Sequence, residues 1–195
     1  MRIVAGAWRG RTLTAPVGIE TRPTADRVRQ ALFDMLMHAP YAGRAVITGA
    51  VVLDVFAGTG AMGLEALSRG AASCVFVESA KPALAALRAN IAACGAEDQC
   101  RVLALDALAL PRGDKAGLVF LDPPYGRDLV ARAVTRLHEM GWIGAGSLIV
   151  AEMGRDEAKL AIEAFAVPAS ARRAQVEVLA ERRHGAARVT ILRVV

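Results

Sequence analysis

Val51-Val52-Leu53-Asp54-Val55-Phe56-Ala57-Gly58-Thr59-Gly60-Ala61-Met62-Gly63 is the stretch that decides the fold of this chain. Val51 to Val55 is an apolar run interrupted by one acid, as expected for a strand buried on both faces. Gly58, Gly60 and Gly63 follow in GxGxxG spacing, and Ala61 to Arg69 reads as a helix. Glu78 stands twenty residues after Gly58, at the end of a second apolar run, Cys74-Val75-Phe76-Val77-Glu78. In such a strand-turn-helix unit the glycines let the backbone turn tightly and approach a ligand. The acid ending the next strand suits ribose hydroxyls.

Downstream, the same alternation repeats. Pro82 to Cys94 predicts a second helix, and Arg101 to Asp106, Leu118 to Asp122 and Leu148 to Glu152 predict further strands. Helical stretches at Leu129–Met140 and Asp156–Ala164 come between and after them. Alternating strands and helices imply an α/β domain with a parallel sheet covered on both faces. The tail differs, because Gln175–Glu181 and Arg188–Val194 flank His184-Gly185-Ala186 and predict a terminal antiparallel hairpin. Upstream, Arg2 to Thr14 carries Gly6, Trp8, Arg9, Gly10 and Arg11 and predicts a small basic hairpin or arm. After a loop punctuated by Pro16, Gly18 and Pro23, Val28, Ala31, Leu32, Met35 and Leu36 recur at helical spacing. Thr24 is the expected cap of that helix, Asp26 suits its positive end, and Pro40 places its end near His38. The expected organisation is a basic hairpin and helix over 1–44 and one compact domain over 45–195.

Ligands of such a sheet sit at the carboxyl ends of the strands. The turn alone fits a nicotinamide cofactor as well as S-adenosylmethionine. Asp54, four residues before Gly58, favours the second reading. A carboxylate is unwelcome beside a pyrophosphate, whereas S-adenosylmethionine carries an ammonium and a sulfonium. Asp106, at the end of the third strand, could accept from the adenine amino group or could cap the segment that follows it.

A second constellation is Asp122-Pro123-Pro124-Tyr125. Two prolines stiffen the loop and remove two backbone donors, so acceptors dominate. Asp122 adds carboxylate oxygens, and Tyr125 offers a face on which a base can stack. This set matches an amino group on an aromatic ring, whose protons need acceptors before its lone pair can point at an electrophilic methyl. Positioning supplies much of such catalysis, and neither a metal nor a covalent enzyme intermediate is required. His38, His138 and His184 are scattered and suggest no metal site.

Net charge is +5, distributed as +4 over residues 1–44, −3 over 45–168 and +4 over 169–195. Arginines supply the basic ends, which points to nucleic acid as the large partner. No apolar run approaches the roughly 18–20 residues of a membrane span. The opening is too short for a secretory signal, and Cys74, Cys94 and Cys100 fit no disulfide or metal framework. A soluble, cytoplasmic protein without a membrane partner is expected, as a monomer.

With these motifs in hand, the chain resembles the class I methyltransferases, and more narrowly the bacterial 16S rRNA guanine-N2 methyltransferase family. The resemblance runs through Gly6-Ala7-Trp8-Arg9-Gly10-Arg11, Arg22-Pro23-Thr24-Ala25-Asp26-Arg27-Val28-Arg29, Asp54 to Gly60, Gly63 to Ala71, Glu78 and Asp122 to Tyr125. It implies a Rossmann-like, seven-stranded, mostly parallel sheet, S-adenosylmethionine as cofactor with S-adenosylhomocysteine as product, and 16S rRNA of the assembling small subunit as partner. By the same resemblance Asp54, Phe56, Ala57, Gly58, Thr59, Gly60, Glu78, Asp106 and Ala107 would hold the cofactor. Asp122, Pro123 and Tyr125 would be catalytic, and Arg9, Arg11, Arg22, Thr24, Arg29 and Pro124 would meet the substrate. Asp-Pro-Pro-Tyr also occurs in adenine-N6 methyltransferases, so an adenine acceptor on RNA or DNA is the main alternative. A nicotinamide oxidoreductase and an inactive RNA-binding module are the others.

Overall fold

A computed structural model describes residues 1–16, 23–124, 128–154, 175–184 and 187–195. Seven strands form one sheet: β1 (Val51–Val55), β2 (Ser73–Glu78), β3 (Cys100–Ala104), β4 (Leu118–Leu121), β5 (Leu148–Gly154), β6 (Val176–His184) and β7 (Ala187–Val194). Their spatial order is β3-β2-β1-β4-β5-β7-β6. β1 to β5 run parallel, while β7 is antiparallel to both β5 and β6. The seven-stranded, mostly parallel sheet with a terminal antiparallel pair is therefore present. Period-two alternation divides its side chains between two buried clusters. Val52, Phe76, Phe120 and Val150 share one cluster with α1 (Pro23–His38), α2 (Ala61–Ser68) and α3 (Lys81–Cys94). Leu53, Val119, Ile149 and Leu192 share the other with α4 (Leu129–Glu139) and Trp142.

Three boundaries differ from the expected ones. α1 begins at Pro23, so Thr24 falls inside the first turn and is not the residue before it. Proline suits that position, since its fixed φ is helical and its missing N–H has no helical partner there. β3 ends at Ala104, because the chain turns at Asp106 into a short 3-10 segment, Ala107–Ala109. β6 extends to His184, and its register with β7 shifts at an irregularity between Val178 and Ala180. The helix expected over Asp156–Ala164 lies outside the described residues. Among the described residues, no helix is long and apolar enough to cross a membrane.

Arg2 to Leu13 forms the expected basic hairpin, closed by Ile3 N–H to Arg11 O at 2.9 Å, Gly10 N–H to Ile3 O at 2.8 Å and Leu13 N–H to Met1 O at 2.9 Å. It lies against α2. Ala7 N–H reaches Ser68 O at 2.7 Å, while the Ser68 hydroxyl accepts from Trp8 N–H at 3.0 Å and donates to Ala5 O at 2.6 Å. Gly6 has φ +82, and a Cβ there would stand 1.8 Å from Ser68 O, so only glycine permits this approach.

Glu65 fastens the hairpin to the rest. Its side chain is fully buried, and its oxygens accept from Val4 N–H at 2.8 Å and Ala5 N–H at 3.0 Å. The same carboxylate pairs with Arg29 at 3.4 Å and Arg69 at 2.8 Å. Arg29 also binds Asp26 and donates to Arg2 O, and Arg69 lies 4.8 Å from the Phe33 ring centroid. One carboxylate thus ties the hairpin, α1 and α2 together. Replacing it takes a shared partner from two buried guanidinium groups, a loss of roughly 3–5 kcal/mol where one partner of a buried pair is removed. Glu65→Gln is expected to lower unfolding free energy in urea by about that amount. A loss below about 1 kcal/mol, the scale of an exposed pair, would contradict the assignment.

Candidate active site

The sheet order brings the carboxyl ends of β2, β1, β4 and β5 into one row. β1 carries Asp54 one residue before its end, and β2 ends in Glu78. Asp54 is buried, and its Oδ2 accepts from Gly63 N–H at 2.9 Å. Burial pushes its carboxyl up to about 8; the Gly63 amide works against that rise, and the charges of Asp122 and Glu78 add to it.

After β1 the chain turns sharply. Phe56 takes φ +62, a left-handed conformation uncommon for a side chain of this size, and Ala57 N–H returns to Val77 O at 3.0 Å. The next amide, Gly58 N–H, donates to Glu78 Oε2 at 2.8 Å. Glu78 Oε1 accepts from Ser79 N–H and Ala80 N–H, both at 2.8 Å. The acid ending β2 therefore staples the glycine turn to the start of α3. Gly60, at φ +78, precedes α2. At Gly63 a Cβ would lie 2.4 Å from the Phe76 ring and 2.5 Å from Cys74 Sγ, so the glycine there lets α2 sit close on β2.

Asn90 of α3 is 1% exposed and secures the outer side of the turn. Its Nδ2 donates to Thr59 O and to Thr14 O, each at 2.9 Å, and its Oδ1 accepts from Thr14 N–H at 2.7 Å. The end of the basic hairpin is thereby held against the glycine turn. Asp106 Oδ1 accepts from Leu108 N–H at 2.7 Å, so this acid caps the 3-10 segment, and Ala107 is buried behind it.

β4 delivers Asp122 immediately beyond its last residue, with Pro123 buried and Pro124 exposed. Asp122 is exposed as a residue, and its carboxyl sits among protein groups that include Glu152. Lost hydration, with the Glu152 charge adding to it, raises this carboxyl to about 7. Tyr125 and Arg22 lie outside the described residues, as does the side chain of Thr24. Arg9 and Arg11 are exposed on the hairpin. Arg29 is not. With its side chain 4% exposed and held by Glu65, Asp26 and Arg2 O, it lies beneath the hairpin as a structural cation. Among the described residues, no cluster of three His, Cys, Asp or Glu side chains could hold a metal ion.

The family described as Conserved hypothetical protein 95 matches residues 1–188. Ribosomal RNA small subunit methyltransferase D of Escherichia coli (strain K12) is 40% identical over 154 residues, which cover 78% of this chain and 74% of that protein. The chain belongs to this methyltransferase family. The Haemophilus influenzae protein of the same name is 39% identical over 163 residues, covering 80% of each chain. Among solved structures, Escherichia coli yhhF superposes with a TM-score of 0.80 at 33% identity, over 100% of this chain and 97% of that one. An M. jannaschii tRNA m1G37 methyltransferase has a TM-score of 0.65 at 16% identity, over 90% of this chain and 49% of that one, a likeness of fold alone. The chain is accordingly a class I, S-adenosylmethionine-dependent methyltransferase.

Three residues of this methyltransferase were not singled out from its sequence. Glu65 is a lone acid between Leu64 and Ala66 in an apolar helix, and Asn90 interrupts the apolar stripe of Leu84, Leu87 and Ile91. Both carry the signal of a buried polar group that must have partners. Glu152 is the fifth-strand counterpart of the acids on β1, β2 and β4.

Asp54 sets a pH dependence. Its folded carboxyl titrates near 8 and an unfolded aspartate near 4. Below about pH 4 both states hold the proton and the residue costs nothing. As pH rises towards 8 the unfolded state alone ionises, so the apo protein loses stability by up to about 1.4 kcal/mol per pH unit. Asp54→Asn keeps an acceptor for Gly63 N–H and removes the charge. Melting curves of wild type and variant are expected to converge near pH 4 and to diverge towards pH 8, with the variant the more stable. Curves that stay parallel would refute the buried charge.

Proposed function

We propose that this methyltransferase transfers a methyl group to the exocyclic N2 amino group of a guanine in 16S rRNA of the assembling small ribosomal subunit. The observation carrying this reading is Asp122, an acid held near neutrality at the end of β4 and followed by two prolines. Its relatives in Escherichia coli and Haemophilus influenzae, named for small-subunit ribosomal RNA, support the substrate class.

The residues at the strand ends fit the cofactor by their chemistry. Asp54, Glu78 and Asp122 repel one another there. A bound sulfonium and ammonium offset that repulsion, whereas a pyrophosphate adds to it, which disfavours a nicotinamide cofactor. S-adenosylmethionine, when bound, supplies an electrophilic methyl group. Glu78 presents an acceptor to its ribose, Phe56 and Ala57 shape the turn, and Asp106 is available to its adenine.

The protein's task towards the base is to expose a nitrogen lone pair. An exocyclic amine shares that pair with the ring and is a poor nucleophile. Asp122 accepts one N–H and the Pro123 carbonyl the other, which favours a pyramidal nitrogen with its lone pair free. As the nitrogen gains the methyl it must lose a proton. A carboxylate that titrates near neutral pH is matched to take it. Tyr125 and Pro124 are assigned to stacking of the unstacked base. Arg9 and Arg11, both exposed, meet phosphates, and Arg22 and Thr24 are assigned as further substrate contacts.

The test is transfer of labelled methyl from S-adenosylmethionine to small subunits lacking the modification, with nucleoside analysis. N2-methylguanosine is the expected product. Asp122→Ala should lower kcat by at least about 100-fold, the lower range for losing a positioned proton acceptor. Replacing Arg9 and Arg11 with alanine should raise KM for the subunit and flatten its salt dependence, with KM for the cofactor unchanged. N6-methyladenosine as product would overturn the choice of base. Absence of transfer despite cofactor binding would overturn the activity.

A further inference from the structure

One acid in the row has no part in the steps above. Leu121 pairs with Ala151 across β4 and β5, so Asp122 and Glu152 are the next residues on two adjacent parallel strands. Such strands lie about 4.8 Å apart. Along β5 the side chains alternate: Val150 enters the first cluster, Ala151 and Met153 the second. Glu152 therefore faces the first-cluster side, where α1 lies. It is half-buried, and its charge reaches the Asp122 carboxyl. Two carboxylates thus stand side by side on neighbouring strands, next to the Asp122-Pro123 segment proposed above to meet the base.

The hydrogen-bonding edges of guanine and adenine differ at one atom beside the reacting amine. Guanine presents two N–H groups on N2 and a third on the adjacent N1. Adenine presents two on N6, but its N1 is a bare lone pair. Asp122 and the Pro123 carbonyl satisfy the amino group of either base. The neighbouring position then decides between them, because a carboxylate accepts from guanine N1–H and repels the adenine lone pair. A carboxylate has about four acceptor sites, so a protein partner on Glu152 leaves others for a base.

We propose that Glu152 accepts the N1–H of the target guanine and is the residue by which the site rejects adenine. This rests on the guanine-N2 reading above and names the atom that makes it selective. Sites built to pair a polar group discriminate strongly against a partner that leaves that group unmatched, by up to about 10⁴–10⁵-fold.

The test alters the pairing edge of the substrate. Small subunits are reconstituted with 16S rRNA carrying guanine, 2,6-diaminopurine or adenine at the methylated position. Diaminopurine keeps the N2 amino group but presents a bare N1 and an amino group in place of O6, so the change of the ratio in Glu152→Gln is what isolates the N1 contact. Binding to the enzyme loaded with S-adenosylhomocysteine and single-turnover methyl transfer are both measured. Wild type is expected to favour guanine over diaminopurine by roughly 100-fold or more in transfer, and to bind it more tightly. Glu152→Gln, whose amide can donate to N1, should narrow that preference to about 10-fold or less, with cofactor affinity unchanged. Equal handling of guanine and diaminopurine by wild type would overturn the proposal without any variant, as would an unaltered ratio in Glu152→Gln. Transfer to adenine and none to guanine would overturn the guanine-N2 reading and this proposal with it; the guanine arm tells that failure from the first.

Discussion

Like charges gathered at one end of a sheet are the constraint from which the rest of this structure follows. Parallel strands must end on the same side, and here β1, β2, β4 and β5 bring Asp54, Glu78, Asp122 and Glu152 to that side. Lost hydration, with their mutual repulsion adding to it, raises Asp54 to about 8 and Asp122 to about 7. Backbone amides hold the arrangement in place. Gly63 N–H binds Asp54, and the amides of Gly58, Ser79 and Ala80 bind Glu78. The result is an edge primed for a cation and, next to it, an acid near neutrality beside which an amine can shed a proton. Stability is spent on function in the way expected of a site whose groups are held away from their ordinary titration range.

A second, oppositely built centre joins the basic hairpin to this edge. Glu65 is a buried acid shared by two buried arginines and two backbone amides, and Asp26 and Asp34 pair with the same arginines, so there the charges are matched instead of crowded. Asn90 then binds the hairpin's end and the glycine turn through the same side chain. The hairpin that carries Arg9 and Arg11 is consequently fixed relative to the turn. A substrate gripped at the hairpin is held in register with the site, which is how binding away from the reacting atoms becomes positioning at them.

Much of this was legible in the sequence, because the signals were local. The GxGxxG turn, the apolar strands and the acids closing them lie within a few residues of one another, and the structure follows them nearly to the residue. The rest depended on partners that the local pattern does not name. Arg29 looks like a surface arginine on an amphipathic helix; its burial follows from Glu65, thirty-six residues away. Thr24 carries the side chain of a cap, but Pro23 begins the helix. Asp106 had two plausible duties, and the bond to Leu108 N–H shows the capping one. Glu152 gains its meaning only when sheet order places β5 beside β4.

The most direct test of the carboxylate edge is the number of protons exchanged when the cofactor binds, measured by titration calorimetry at pH 7 in buffers of different ionisation enthalpy. In the apo protein Asp54 holds its proton at this pH and Asp122 is close to half protonated. A cation placed among them lowers both pKa values, so S-adenosylmethionine should release protons on binding. Release should fall with S-adenosylhomocysteine, which lacks the sulfonium charge, and fall again in Asp54→Asn. Binding with no net proton release, the same for both ligands, would contradict the account.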